Sequence, residues 1–374
     1  MTTTVAVIGA GSVGAAAGLA LARDGAEVTL FDLDQPPHGL GAHAGESRLV
    51  RSLPYLEKSP GEAHMLRVAL DAWDRLEQET GTRLITRCGG LAIGHRDSSA
   101  LQMMFRAGGD DAEYLDFPEV TARFPQFAVG TDDVGVMDRR GGIIDPAAAV
   151  SALLDEAVKA GARTRFNTAV SALEPDEGGV VVRHSSGTDR FDKAVLAAGT
   201  MSAHIEPHLH IRSRRILLGW FRPKVDDNHL LADCPSFIWS PGPGEFLYGA
   251  PSYSGQTFKF GMEHDWGTVG DPVSEGRQTT PADVEPMREA VATYLPWLER
   301  EGERFEMHID AWAHDNTGLL GERADRPGII LATGWSGYGF KIAPAIGLAV
   351  SDLVLGRDPR FDISALQPDR DAAG

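Results

Sequence analysis

Cysteine is almost missing from these 374 residues: Cys88 and Cys234 are the only two. Two thiols build neither a disulfide framework nor a thiolate cluster, so the expectation is a reducing cytoplasm. Metal-ligand spacing is missing too. His208 and His210 alternate on a short segment without further ligands, and no metal is expected. Positive charge is in deficit. Against 53 Asp and Glu stand 35 Lys and Arg, a net charge of −18, which repels nucleic acid and anionic membranes. No long apolar run reaches membrane-spanning length. The first, VAVIGAGSVGAAAGLALA, has no Lys or Arg before it and is followed by Arg23, the wrong flank for a secretory signal. Partners of macromolecular size are thus disfavoured, and a monomer acting on a small molecule is expected.

What is present is the grammar of a nucleotide-binding α/β protein. TVAVIG (4–9) reads as a buried strand, residues 13–24 as an Ala-rich helix, and EVTLFD (27–32) as a second parallel strand. Between the first strand and the helix, GAGSVG places Gly9, Gly11 and Gly14, with Ser12 and Val13 between them. Such glycines allow a tight turn, a close backbone approach to a pyrophosphate, and close helix–strand packing. The free N–H groups of the helix then face phosphate. Asp32 ends the second strand, where a carboxylate can accept hydrogen bonds from a ribose. This pattern points to a dinucleotide and leaves NAD and FAD both open.

Farther along, Leu66, Leu70, Trp73 and Leu76 form one stripe of a helix over 61–80. LAIGH (91–95) reads as a strand. Asp145 and Pro146 are an N-cap and first helical residue, and Gly161 closes that helix. KAVLAAG (193–199) is another buried strand, ending at Gly199. Residues 214–262 carry strand runs broken by Gly/Pro turns, which suggests an antiparallel sheet, and 280–295 reads as a helix. Arg212, Arg214 and Arg215 read as a solvated connection. The stretch GIILATGWSGYGFKIAPAIGLAVSDLVLG (328–356) repeats strand, glycine turn and helix, with that helix starting near Ala343. GWSGY is not a nucleophile elbow, because Tyr338 stands where the second glycine belongs. The order implies α/β plus α+β architecture. A Rossmann-like nucleotide domain is assembled from 1–82, 140–212 and 313–374. A mainly antiparallel substrate domain comes from 83–139 and 213–312.

Three stretches, DQPPHGLGAHAGESRLVR (34–51), YGAPSYSGQTFKFG (248–261) and GWSGYGFK (334–341), resemble the monomeric sarcosine oxidase and N-methyltryptophan oxidase family of flavoenzymes, within the wider glycine oxidase and D-amino acid oxidase group. The likeness runs from about residue 4 to 356. It implies an FAD enzyme that takes a hydride from an amino acid, giving an imine, with O2 reoxidising the flavin to give H2O2. It also implies residue roles. Lys341 and Arg51 would fork around the substrate carboxylate. Arg48, after Ser47, would lie over the flavin, and shares a face with Arg51 if the segment is a helical turn. Lys259 would face the flavin and activate O2. Tyr248 would line the substrate cavity. Gly337, Tyr338, Gly339, Phe340 and Lys341 would cradle the ring.

Two departures from the family stand out. It often has a histidine where Glu263 stands, with His264 one step along; a strand lets only one of the two face the cavity. A glutamate there would suit a substrate with an extra positive group. Relatives that tether FAD use a cysteine at the position of His308, counted from Asp315. An unlinked FAD is therefore expected, with a histidyl link through His308 as the chemical alternative. Trp220, Trp239, Trp312, Trp335 and Tyr338 fall in segments expected to approach the cavity, which would suit a bulky or cyclic amino acid. Open alternatives are a dehydrogenase of the same fold using another electron acceptor, an NAD-dependent reductase, and a flavin-binding protein without turnover.

Overall fold

Apolar, β-branched runs that must be buried on both faces organise the first layer. The structure, a computed structural model, describes residues 2–54 and 61–370. Its six-stranded sheet has the order Leu319–Glu322, Ile329–Thr333, Lys193–Leu196, Thr4–Ile8, Glu27–Phe31, Arg163–Arg165. Only the Leu319–Glu322 edge is antiparallel. Val5, Ala6 and Val7 are all fully buried, as a central parallel strand requires. On one face pack the helices Ser12–Arg23, Pro146–Lys159 and Gly339–Val354. Asp145 caps the second of these, its carboxylate accepting from the N–H groups of Ala147 and Ala148. On the other face lies a three-stranded antiparallel sheet, Val170–Asp176, Gly179–His184 and Gly187–Phe191, which the sequence reading did not anticipate.

A second, nine-stranded sheet is antiparallel except where Ser236–Ser240 runs parallel to Gly90–His95. Its spine is a ten-residue pairing between Ile211–Phe221 and Arg304–Ala313. Phe221, Phe237, Phe258 and Phe260 are fully buried in its core, beneath the helix Pro281–Tyr294. The expected solvated connection at 212–215 is instead the start of that long strand. Arg214 pairs with Glu263 at 2.6 Å and lies 4.2 Å from the Trp312 ring centroid, and Arg215 donates to the carbonyls of Trp266, Gly276 and Gln278. Arg212 is exposed, as expected, whereas Arg214 and Arg215 looked solvated because their partners lie about 50 positions or more away.

A small sheet of Arg48–Val50, Gly142–Ile144 and Ile85–Thr86 joins the two layers. The helix Glu62–Thr80, with Leu66, Leu70, Trp73 and Leu76 buried, lies beneath the late glycine turn. Trp73 stacks on Phe340 at 5.7 Å and its indole N–H donates to the Lys341 carbonyl at 3.2 Å. The late helix starts at Gly339, four residues before Ala343. Pro344 sits inside the helix near its N-terminal end. Among the described residues no helix is long and apolar enough to cross a membrane.

Candidate active site

One cavity of about 780 Å³ runs between the two sheets. At one end its wall is Gly9, Gly11, Ser12, Val13 and Asp32; at the other it is Gly337 through Lys341, with Arg48, Arg51 and Lys259. A helix N-terminus enters the wall at each end. Neither Ser12–Arg23 nor Gly339–Val354 has a side chain capping its first turn, so both offer N–H donors and a positive dipole end to whatever fills the space. Gly14 lies just outside the wall. A Cβ there would sit 1.7 Å from the Gly9 carbonyl oxygen, so this glycine lets helix and strand touch and has no part in direct contact with a ligand.

Asp32 is buried and already engaged. Its carboxylate accepts from the N–H of Ala10 at 2.7 Å and of Asp34 at 3.2 Å, and meets His38 Nε2 at 2.9 Å. It therefore ties the glycine turn to the second strand, and Oδ2, which accepts from Ala10 alone, keeps a lone pair for a further donor. The Asp32 hydrogen bond raises the pKa of His38. His43, buried beside it, is pushed down to about 4 by desolvation, and the positive charges of His38 and Arg48 act the same way. Neither histidine was singled out from sequence; the only signal was their place in the loop after the Asp32 strand.

At the far end several cations gather, and among the described residues Arg48, Lys259 and Lys341 have no carboxylate ion-pair partner. Arg48 lies in an extended strand, not a helical turn, so the shared helical face with Arg51 is not formed. Its guanidinium donates to the carbonyls of Ala42, Ala44 and Ser47. Lys259 is buried between the core phenylalanines 258 and 260, and its ammonium donates to the Ser47 carbonyl at 2.6 Å and hydroxyl at 2.7 Å. Ser47 is fully buried and away from the cavity wall; it holds Lys259 and Arg48 in place of touching cofactor. Burial, with Arg48 adding to it, lowers the Lys259 pKa to about 7.

Arg51 and Lys341 meet at one ring. The Arg51 guanidinium carbon is 5.8 Å and the Lys341 Nζ 3.9 Å from the centroid of Tyr338. Burial, then the neighbouring Arg51 charge, drives the Lys341 pKa well below its ordinary value. Tyr338 in turn donates its hydroxyl to the buried Glu62, a buttress that the sequence reading missed. Among the described residues no carboxylate pairs with Arg48, Lys259 or Lys341. In a chain of net charge −18, such a basic enclosure is what an anionic ligand requires.

Tyr248, Gly199, Glu263 and His308 line the cavity, and His264 does not. The strand Phe258–Met262 ends before this pair, and His264 packs against Trp266, at 4.9 Å, away from the cavity wall, which corrects its assignment to substrate. Glu263 reaches the wall already paired with Arg214, which weakens its candidacy as the receptor of a substrate cation. Of the five aromatics, Trp312, Trp335 and Tyr338 line the cavity. Trp220 bonds Glu46 at 2.7 Å and Trp239 packs in the core on Phe127 and Tyr294, so neither belongs to the pocket. Asp310 was missed. It stands two residues from both His308 and Trp312 on one strand, so period-2 alternation could have placed it on the same face.

The chain matches the family model of FAD dependent oxidoreductases (DAO) over residues 4–353. It is similar to the N-methyl-L-tryptophan oxidase of Salmonella newport (strain SL254), with 30% identity covering 97% of this chain and 98% of the relative. Among solved structures it resembles the L-proline dehydrogenase from P. horikoshii, with a TM-score of 0.84, 18% identity, and coverage of 100% of this chain and 98% of that one. It also resembles NikD, an unusual amino acid oxidase essential for nikkomycin biosynthesis, with a TM-score of 0.78, 23% identity and 98% of each chain covered.

Proposed function

The chain belongs to the FAD dependent oxidoreductase (DAO) family, and on that premise we propose that it oxidises the amine of an amino acid to an imine, with O2 as the final electron acceptor. The residues fit FAD. The cavity is continuous, carries an uncapped helix N-terminus at each end, and holds Arg48, Lys259 and Lys341, which have no carboxylate ion-pair partner among the described residues. Gly9, Gly11, Ser12, Val13 and Gly199 would hold the ADP half, with Asp32 accepting from ribose hydroxyls. Gly337, Tyr338, Gly339, Phe340 and Lys341 would lie against the ring system. When bound, FAD supplies the two-electron acceptor for the substrate C–H.

The chain's own residues do the rest. Arg51 and Lys341 bind the substrate carboxylate and fix which carbon is presented. Tyr248, Trp312, Trp335 and Tyr338 exclude water and give room for a bulky or cyclic side group, such as the N-methylated indole amino acid named for the relative. Lys259 holds a positive charge where electrons pass to O2, so that the charge developing on oxygen is stabilised. We further propose that the FAD is held without a covalent bond, since neither Cys88 nor Cys234 lines the cavity.

The convergence of Arg51 and Lys341 on Tyr338 carries this reading. Anaerobic mixing with N-methyl-L-tryptophan, N-methylglycine and L-proline tests it: at least one should bleach the flavin, and admission of O2 should yield peroxide. Arg51→Gln and Lys341→Gln should each lower kcat/KM about 10²-fold, mostly through KM, as expected for removing one partner of a buried charge pair. Dye reduction without peroxide would point to a different electron acceptor, and no bleaching with any amino acid would remove the proposal.

A further inference from the structure

The cavity that gathers cations also holds, between its two sheets, a carboxylate that no cation claims. Asp310 faces it from the strand Arg304–Ala313, between His308 and Trp312. Its Oδ1 accepts from the N–H of Ala311 at 2.8 Å. Its Oδ2 points toward the late turn, where a Cβ built on Gly337 would stand 3.9 Å away. Among the described residues Asp310 has no ion-pair partner. The arginine opposite it in the strand pairing, Arg214, is committed elsewhere, to Glu263 at 2.6 Å and to the Trp312 ring at 4.2 Å. Arg48 and Lys341 act on it only as charges through space.

A carboxylate enclosed in a cavity without a counter-ion is costly, and a cavity with cations on one wall and such a group on another is complementary to a zwitterion. An aliphatic ammonium cannot yield a hydride from its α-carbon until it has lost a proton, so a seat for that proton serves the chemistry directly. We propose that Asp310 seats the positively charged nitrogen of the substrate and takes its proton, an inference that rests on the amino-acid reading above. One N–H bond breaks and one O–H bond forms on the carboxyl group. Nothing is oxidised in this step, and the proton leaves to water after product release. Burial pushes the Asp310 carboxyl above the usual carboxylate range, with the Ala311 and Gly337 N–H groups and the charges of Arg48 and Lys341 opposing the rise. The other ionisable groups near it are Glu306 and His308 on its own strand, Arg214 opposite, and Tyr248 and Tyr338 on the cavity wall.

Two probes of equal shape separate charge from fit: trimethylammonioacetate and 3,3-dimethylbutanoate, which differ only in the positive charge at the quaternary centre. Calorimetric titration of the holoenzyme should show the cationic probe bound about tenfold more tightly or better. Asp310→Asn should abolish that preference while leaving 3,3-dimethylbutanoate affinity within about twofold, and Asp310→Glu should keep part of it. Glu263→Gln should leave the preference in place, because Arg214 already occupies Glu263. The acidic limb of kcat/KM for an N-methyl amino acid should also move to higher pH in Asp310→Asn, a change that a merely structural role would not produce. A preference unaltered by Asp310→Asn, or one that follows Glu263 instead, would overturn the proposal while sparing the amino-acid reading. An unmoved limb would overturn the proton transfer. Failure of both probes to bind the unaltered protein would overturn both readings together.

Discussion

Lys259 alternates with Phe258 and Phe260 on a strand, and the resemblance implies that it faces the flavin. It is buried against Ser47, and the loss of hydration lowers its pKa to about 7 from an ordinary 10.5. Two outcomes follow at this scale. Lys259→Met should slow reoxidation of the reduced enzyme by O2 about 10²–10³-fold, measured by stopped flow, and leave anaerobic bleaching by substrate nearly unchanged. Stability should respond with a definite sign. Between about pH 7 and the ordinary value the unfolded chain holds a proton that the folded chain lacks, so the lysine's cost to folding is full at or below pH 7 and fades as pH rises. The melting temperature of Lys259→Met relative to the unaltered protein should therefore be more favourable at pH 6 than at pH 10. A difference that does not vary with pH would mean that the lysine is ordinarily hydrated.

Among the elements, the two glycine turns share a grammar and differ in what their glycines do. Gly14 is a matter of contact, since its Cβ would meet the Gly9 carbonyl oxygen at 1.7 Å. Gly337 is a matter of backbone: its φ is 82°, while the nearest atoms to an added Cβ are at 3.8 and 3.9 Å. Gly337→Ala should thus fold and bind FAD with a loss of about 1–2 kcal/mol in denaturant melts, the cost of a left-handed alanine. Gly14→Ala should lose FAD retention on gel filtration, because strand and helix must separate. Equal behaviour of the two variants would refute this division. The periodicity of both helices was legible, as was the Asp145 cap. The start of the late helix was not: it begins at Gly339 within the glycine turn, where Phe340 and the Lys341 carbonyl are held by Trp73.

At the scale of the whole molecule, residues from 9 to 341 share one cavity, and the mode of FAD retention depends on which side chains that arrangement brings to its wall. His308 is there, with its ring 3.2 Å from a Cβ built on Gly45, and burial lowers its pKa. Both cysteines are elsewhere. Acid precipitation of the purified protein should release yellow flavin to the supernatant. A yellow pellet that turns colourless in His308→Ala would establish a histidyl link instead.

Local pattern settled a good deal. Strand and helix periods, a helix cap and a glycine fingerprint depend on neighbours within a few positions, so the α/β layer, the antiparallel insertion and the dinucleotide end could be read along the chain. The resemblance then supplied candidates for the reacting end. Only the tertiary structure decided which charges are buried, which are paired, and with whom. It paired Arg214 with Glu263, turned His264 outward, set Ser47 beneath Lys259, and left Asp310 facing the cations across the cavity. The physical reason is range: a side chain's hydration and its ionic partners are set by residues far away in sequence, and no period in the chain records them.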